Sequence, residues 1–238
     1  MIVLVATGQQ LLEVAKSAMA QQTDLVSETW VLTSTVGPAD AAEAGRLLGE
    51  AGARVLDAPV TGGVPGADSG QLRFLAAGGT DVIDALRPVL STLGEVISVG
   101  ERIGDGQAMK ITNQLCSSAH LVVAAEAVAF ARSLGLDPAR AVEVISGGSG
   151  ASWFLDDRGP RMARGAETAD TRLAILAKDS ELVAGEADRT GAFVPMLRAA
   201  RERYELAGQL GLLEEDDSQI VRTYTEPQAT EPASSERL

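Results

Sequence analysis

Lysine is scarce in this chain: of 20 basic residues, only Lys16, Lys110 and Lys178 are not arginine. Arginine serves wherever a permanent cation is enough, because it does not deprotonate near neutral pH, so a retained lysine is a candidate for proton transfer. Lys110 stands in Gly104-Asp105-Gly106-Gln107-Ala108-Met109-Lys110-Ile111-Thr112-Asn113, just behind two glycines at what the spacing predicts to be the start of a helix. On that helix Asn113 lies about 60° from Lys110 and Gln114 about 40° from it, so all three can face one ligand. An amine beside a substrate hydroxyl can take its proton as hydride leaves the same carbon, provided its pKa falls from about 10.4 towards roughly 7 to 8. Burial or a neighbouring cation, such as an oxidised nicotinamide, would lower it. Asn113, which can both donate and accept, would hold the hydroxyl in line. The plain alternative is that composition bias thinned the lysines and left one here by chance.

Thr61-Gly62-Gly63 follows a strand ending in Asp57-Ala58-Pro59-Val60. Consecutive N–H groups without side chains can form an anion-binding concavity there, with the Thr61 hydroxyl as an extra donor, and a small carboxylate would fit; an ordinary turn needing glycine dihedrals is the other reading. Lys178-Asp179 ends an apolar run, where a lysine can also be a snorkelling surface residue. His120 shares a helix face with Asn113 but sits about 10 Å further along the axis, too far to reach the same atom. The acidic groups Asp156-Asp157 and Glu214-Glu215-Asp216-Asp217 have no histidine or further ligand beside them and read as solvated faces.

Composition narrows the setting of this chemistry. A formal net charge of −13 argues against nucleic-acid and anionic-membrane partners, and any anionic ligand then needs a local cationic pocket. One cysteine, Cys116, excludes an internal disulfide framework, and with a single histidine it cannot build the usual zinc site. A reducing cytoplasm is the simplest home. The first eight residues carry no basic region and too few apolar residues for a signal peptide or a span, and read as a buried strand.

The elements that must position these residues follow from periodicity. Short apolar runs at Ile2–Ala6, Trp30–Thr33 and Arg54–Ala58 alternate with helical spacing at Gln10–Ala20 and Pro38–Gly52, the mark of a parallel α/β sheet. A glycine-rich loop (Thr61–Gly70), a strand (Leu72–Ala77), a helix (Asp81–Leu93) and a strand (Glu95–Val99) complete a first domain over residues 1–103. From Gln107 to Leu134 there is neither proline nor glycine, and Ala119–Ala131 is apolar nearly all round. This predicts a long linking helix buried on most sides in a helical domain or a dimer. Gly135-Leu136-Asp137-Pro138 stops it and starts another, and further helices near 151–164, 173–190, 195–208 and 218–223 give an all-helical domain over 104–224. The polar, proline-bearing 225–238 predicts a disordered tail.

Taken in order, Thr33-Ser34-Thr35-Val36-Gly37-Pro38, Asp57 to Gly63, Gly104 to Asn113 and Lys178-Asp179 resemble the β-hydroxyacid dehydrogenase family, which includes 3-hydroxyisobutyrate dehydrogenases. The resemblance runs to about Thr223 and implies an NAD- or NADP-dependent oxidoreductase acting on a small 3-hydroxy acid. It implies that Thr61, Gly62 and Gly63 bind the substrate carboxylate, that Lys110 is the acid/base, and that Asn113 orients the reacting oxygen. Val5, Ala6, Thr35 and Lys178 would line the cofactor crevice, and the helical domain would support a homodimer or homotetramer. Some relatives carry a second asparagine where this chain has Gln114. A 6-phosphogluconate dehydrogenase would show His-Asn at positions 113 and 114, and imine reductases usually replace the lysine. The family begins with a strand, a Gly-x-Gly-x-x-Gly turn and a helix that hold the pyrophosphate. This sequence enters near the family's fourth strand, roughly sixty residues later, so an incomplete Rossmann-type domain is expected. The competing expectation is a non-catalytic oligomerisation or regulatory fragment that does not bind cofactor.

Overall fold

A computed structural model describes residues 1–21, 25–165 and 170–225. The expected tail lies outside the described residues, Thr225 excepted. By compactness the chain divides into two units, one of Met1–Cys116 with Lys178–Val194, the other of Ser117–Ala177 with the chain from Pro195 onward. Two of the three divisions fall inside helices, after Cys116 and after Ala177, so those two helices each contribute to both units.

The first unit is built on a six-stranded sheet ordered β1 (Ile2–Val3), β2 (Thr29–Leu32), β3 (Arg54–Asp57), β5 (Leu72–Ala77), β4 (Val60–Thr61), with β6 (Gly94–Gly100) also on β5. The pairs β1·β2, β2·β3 and β5·β6 are parallel, whereas β5 runs antiparallel to β3 and β4, so the sheet is mixed. Its helices are α1 (Gly8–Gln21), α2 (Pro38–Glu50), α3 (Gly63–Asp68) and α4 (Thr80–Leu90). Alternation along β2 explains why Trp30, Val31 and Leu32 are all apolar. Trp30 and Leu32 join a cluster with Leu11, Ala15, Ala41 and Leu48 of α1 and α2, while Val31 joins another with Leu56, Phe74, Ile83 and Leu90. A sheet covered on both faces has no polar side to show. Pro38 starts α2 at a position where a missing N–H costs nothing, and Ala41, Ala44, Gly45 and Leu48 form its buried stripe.

The run Thr61–Gly70, expected as a loop, contains the short helix α3. Gly62 and Gly63, at φ 123° and 60°, make the entry turn that residues with a side chain rarely adopt, and the Gly66 N–H donates to Gly62 O at 3.0 Å. Composition rich in glycine and proline hid a helix that turns only once or twice.

Helix α5 (Asp105–Ser133) runs on into the second unit, which also contains α6 (Pro138–Ser146), α7 (Trp153–Arg164), the first residues of α8 (Leu173–Thr190), α9 (Pro195–Gln209), a 3-10 turn (Asp217–Val221) and α10 (Arg222–Thr225). By length and composition α5 is apolar enough to cross a membrane, yet Leu121, Ala124, Ala125 and Val128 are packed in the core with Leu155, Met162, Leu173 and Tyr204. Its burial is one-sided: Val123 and Phe130 are exposed, and so is His120.

One expectation fails in this unit. Asp216 and Asp217 are not a solvated face but are buried, Asp217 completely. Arg158, also buried, lies 2.8 Å from Asp217 as an ion pair and also pairs with Asp157, while its guanidinium lies over the Trp153 ring. Burial nevertheless pushes the Asp217 carboxyl up to about 6 against the pull of Arg158. The arginine is 59 residues away in sequence, out of reach of any local reading.

Candidate active site

The start of α5 is bolted to the sheet. Asp57, the last residue of β3, is completely buried and accepts from the N–H of Gly104 (2.8 Å) and of Gln107 (3.1 Å) through Oδ2, and from Gln107 Nε2 (2.9 Å) through Oδ1. Gln107 also donates to Ser34 O and accepts from the Val36 N–H, both at 3.0 Å. The helix N-terminus, an anion-binding position, is thus filled by the protein's own carboxylate. Burial pushes the Asp57 carboxyl above its ordinary value, and these hydrogen bonds oppose the shift. Gly106 is required by proximity: a Cβ there would lie 2.6 Å from Leu75 O. The two glycines ahead of Lys110 therefore let the helix enter close against the sheet.

One turn further, on the same buried face, sits Lys110, 6% exposed. Among the described residues its ammonium has no hydrogen-bond acceptor. Burial pushes its pKa down to about 8, with Asp179 pulling it up and Lys178 adding to the fall. Gln114, as buried as Lys110, donates through Nε2 to Asp179 Oδ2 at 2.6 Å and accepts from Asn113 Nδ2 at 2.9 Å. Lys178 Nζ lies 2.8 Å from Asp179 Oδ1 and 3.5 Å from Thr35 O. The structure therefore brings together Lys110, Asn113, Gln114, Lys178 and Thr35 from α5, α8 and the connection between β2 and α2.

Thr61, Gly62 and Gly63 lie on β4 and the turn into α3, joined to β5 through Thr61 and Arg73, and no hydrogen bond or ion pair among the described residues ties them to Lys110. The N–H groups expected to line a cofactor crevice are engaged: Val5 donates to Ser34 Oγ at 2.7 Å, and Ala6 to Gln10 Oε1 at 2.9 Å. Thr35 is half-buried and the Lys178 side chain 40% exposed, at the carboxyl ends of parallel strands where open sheets bind ligands. A hydroxyl and a half-exposed cation there suit an anionic dinucleotide, so Thr35 and Lys178 fit the group, whereas Ala6 fits only if Gln10 releases its amide. Sequence reasoning missed Asp57, Gln107 and Asp179 as partners. The only local signal was the glycine pair, which announced a close approach without naming what was approached.

Known proteins resemble this chain in sequence and in fold. Residues 104–224 match the family model described as NAD-binding of NADP-dependent 3-hydroxyisobutyrate dehydrogenase, and residues 1–101 that of the NAD binding domain of 6-phosphogluconate dehydrogenase. An L-threonate dehydrogenase of Cupriavidus necator is 33% identical over 82% of this chain, which spans 66% of that protein, just under two thirds of its length. One from Escherichia coli is 30% identical over 94% of the chain and 75% of its own length. The crystal structure of a 3-hydroxyisobutyrate dehydrogenase from Salmonella typhimurium superposes with a TM-score of 0.83 at 28% identity, covering 93% of this chain and 78% of that one. Both matched domains are dinucleotide-binding, and the cofactor they take is NAD or NADP. With its mixed Rossmann-type sheet, its helical unit and Lys110 on the helix that joins them, the chain belongs to the β-hydroxyacid dehydrogenase family.

Proposed function

We propose that this chain catalyses the reversible oxidation of a small 3-hydroxy acid, of the size of 3-hydroxyisobutyrate or L-threonate, with Lys110 as the acid/base. The observation that carries this reading is a buried amine, without a hydrogen-bond acceptor among the described residues, whose pKa has come down to about 8. A base works best when its pKa lies near the working pH, and an ordinary lysine is too fully protonated to serve. In the forward direction the neutral amine of Lys110 takes the substrate's hydroxyl proton as the carbinol becomes a carbonyl; in reverse the ammonium returns it. The nicotinamide, when bound, accepts the hydride. Asn113 holds the reacting oxygen in line, Thr61 with the Gly62 and Gly63 backbone receives the carboxylate, and Thr35 and Lys178 hold the cofactor with the backbone at Val5 and Ala6. Residues 1–103 then act as the dinucleotide half and 104–224 as the substrate half. Val123 and Phe130 fall on one side of α5 and are exposed, which supports a homodimer or homotetramer, placed in the cytoplasm.

A second reading is a non-catalytic module of such an enzyme, favoured by one observation: the amides of Val5, Ala6 and Thr7 are satisfied by Ser34 and Gln10. Calorimetric titration of the folded chain with NADH and NADPH separates the two, followed by turnover assays on 3-hydroxyisobutyrate and L-threonate. Saturable binding with turnover of either acid supports the enzyme; a folded chain with no nucleotide affinity supports the module.

A further inference from the structure

The Asp179 carboxylate is the natural partner of the Lys110 ammonium, yet the two are not bonded. Asp179 is 3% exposed, on α8, and is the only anion acting on Lys110 among the described residues; Lys178, its neighbour on α8, is the only other charge acting there. The other carboxylate near this stretch of α5, Asp57, is committed to Gly104 and Gln107. A buried ammonium beside an available carboxylate ordinarily forms a charge-assisted hydrogen bond, which fixes the proton on nitrogen. Both oxygens of Asp179 are approached by other groups. Gln114 holds Oδ2 at 2.6 Å, and Lys178 holds Oδ1 at 2.8 Å as an ion pair that lacks hydrogen-bond geometry. Gln114 is in turn fixed by Asn113, whose amide donates to its Oε1.

We propose that Gln114 is a positioning residue that keeps the Asp179 carboxylate turned away from Lys110, so that the Lys110 amine remains free to exchange its proton. The proposal deepens the reading of Lys110 as acid/base and rests on it. Gln114 needs no contact with substrate in this role. An amide suits it better than an acid or an apolar group, because one end must donate to a carboxylate while the other accepts from Asn113.

The scarcity of lysine makes a direct test practical. Labelling lysine with carbon-13 at Cε gives three signals, for Lys16, Lys110 and Lys178, and that of Lys110 is identified by its loss in Lys110→Arg. Followed over about pH 6 to 11 without cofactor or substrate, it reports the protonation midpoint of Lys110 alone. In Gln114→Met, which fills the same space without a donor, the midpoint should rise by about one unit or more, a tenfold gain in proton affinity. Gln114→Asn, one methylene short, should give a smaller rise and serves if the methionine variant does not fold. In an Asp179→Asn background the Gln114 substitutions should no longer move the midpoint, since the carboxylate they release is gone. A midpoint unmoved in folded Gln114 variants, or moved equally without Asp179, overturns the proposal. Intact turnover in Lys110→Ala would instead overturn the acid/base reading, so the two failures are distinguishable.

Discussion

Two successive turns of α5 treat buried polar groups in opposite ways. In the first, Asp57 and Gln107 are completely buried and share hydrogen bonds with one another and with Gly104, Ser34 and Val36. In the second, Lys110 is nearly as buried and has no acceptor among the described residues, while Asp179, the anion whose charge acts on it, is held by Gln114 and Lys178. Buried polar groups are ordinarily satisfied, so the first turn has the character of structure and the second of a site prepared for a ligand. The bolt supplies rigidity, and the turn above it uses that rigidity to keep an amine in an environment it would not choose.

The widest separation of the two turns should come from activity. Lys110→Ala is expected to lower kcat for hydroxy-acid oxidation by about a thousandfold or more, with nucleotide affinity little changed, as read by steady-state kinetics beside calorimetry. Asp57→Ala should act through the fold instead. It strands the Gln107 amide and the first-turn N–H groups, and a loss of roughly 3 kcal/mol is expected in urea unfolding.

Stability should move the other way at Lys110. Its folded pKa of about 8 lies below the 10.5 of the free side chain, so between those values the unfolded chain binds more protons and stability rises with pH. Below about pH 8 the whole cost of burying the ammonium is present, so Lys110→Met should stabilise the inactive protein at pH 7 by roughly 2 to 3 kcal/mol. That gain should fade as the pH approaches 10.5. Equal stabilisation at both ends of this range would mean the methionine simply packs better. The smallest effect is expected at Thr61, where Thr61→Val should raise KM for the acid by about tenfold with kcat nearly kept, the mark of a lost ground-state contact.

What the sequence revealed and what it hid differ by the range of the interaction. Strand and helix periodicity located the elements around β2, β3, β5 and α5, and the order of Thr33–Pro38, Asp57–Gly63, Gly104–Asn113 and Lys178-Asp179 carried the family. Lys110 and Lys178 were singled out from composition and local spacing; the structure pairs Lys178 with Asp179, and the charges of both act on Lys110. The hidden part is pairwise and distant: Asp57 with Gln107 across 50 residues, Gln114 with Asp179 across 65, Arg158 with Asp217 across 59. Hydrophobic period says which face is buried, but not which polar groups meet there. The antiparallel entry of β5 beside β3, through Asp57 and Ala77, was hidden for the same reason, since apolar runs carry no direction.

The contrast between the two turns rests on the protonation of one amine. The most direct measurement is the carbon-13 titration of Lys110 in the unsubstituted chain, with Lys16 and Lys178 as internal references. A midpoint near 8 is the result expected for a buried lysine kept off its carboxylate. A midpoint at the ordinary value of about 10.4 would contradict the account, because Lys110 would then be a fixed cation and not a proton carrier.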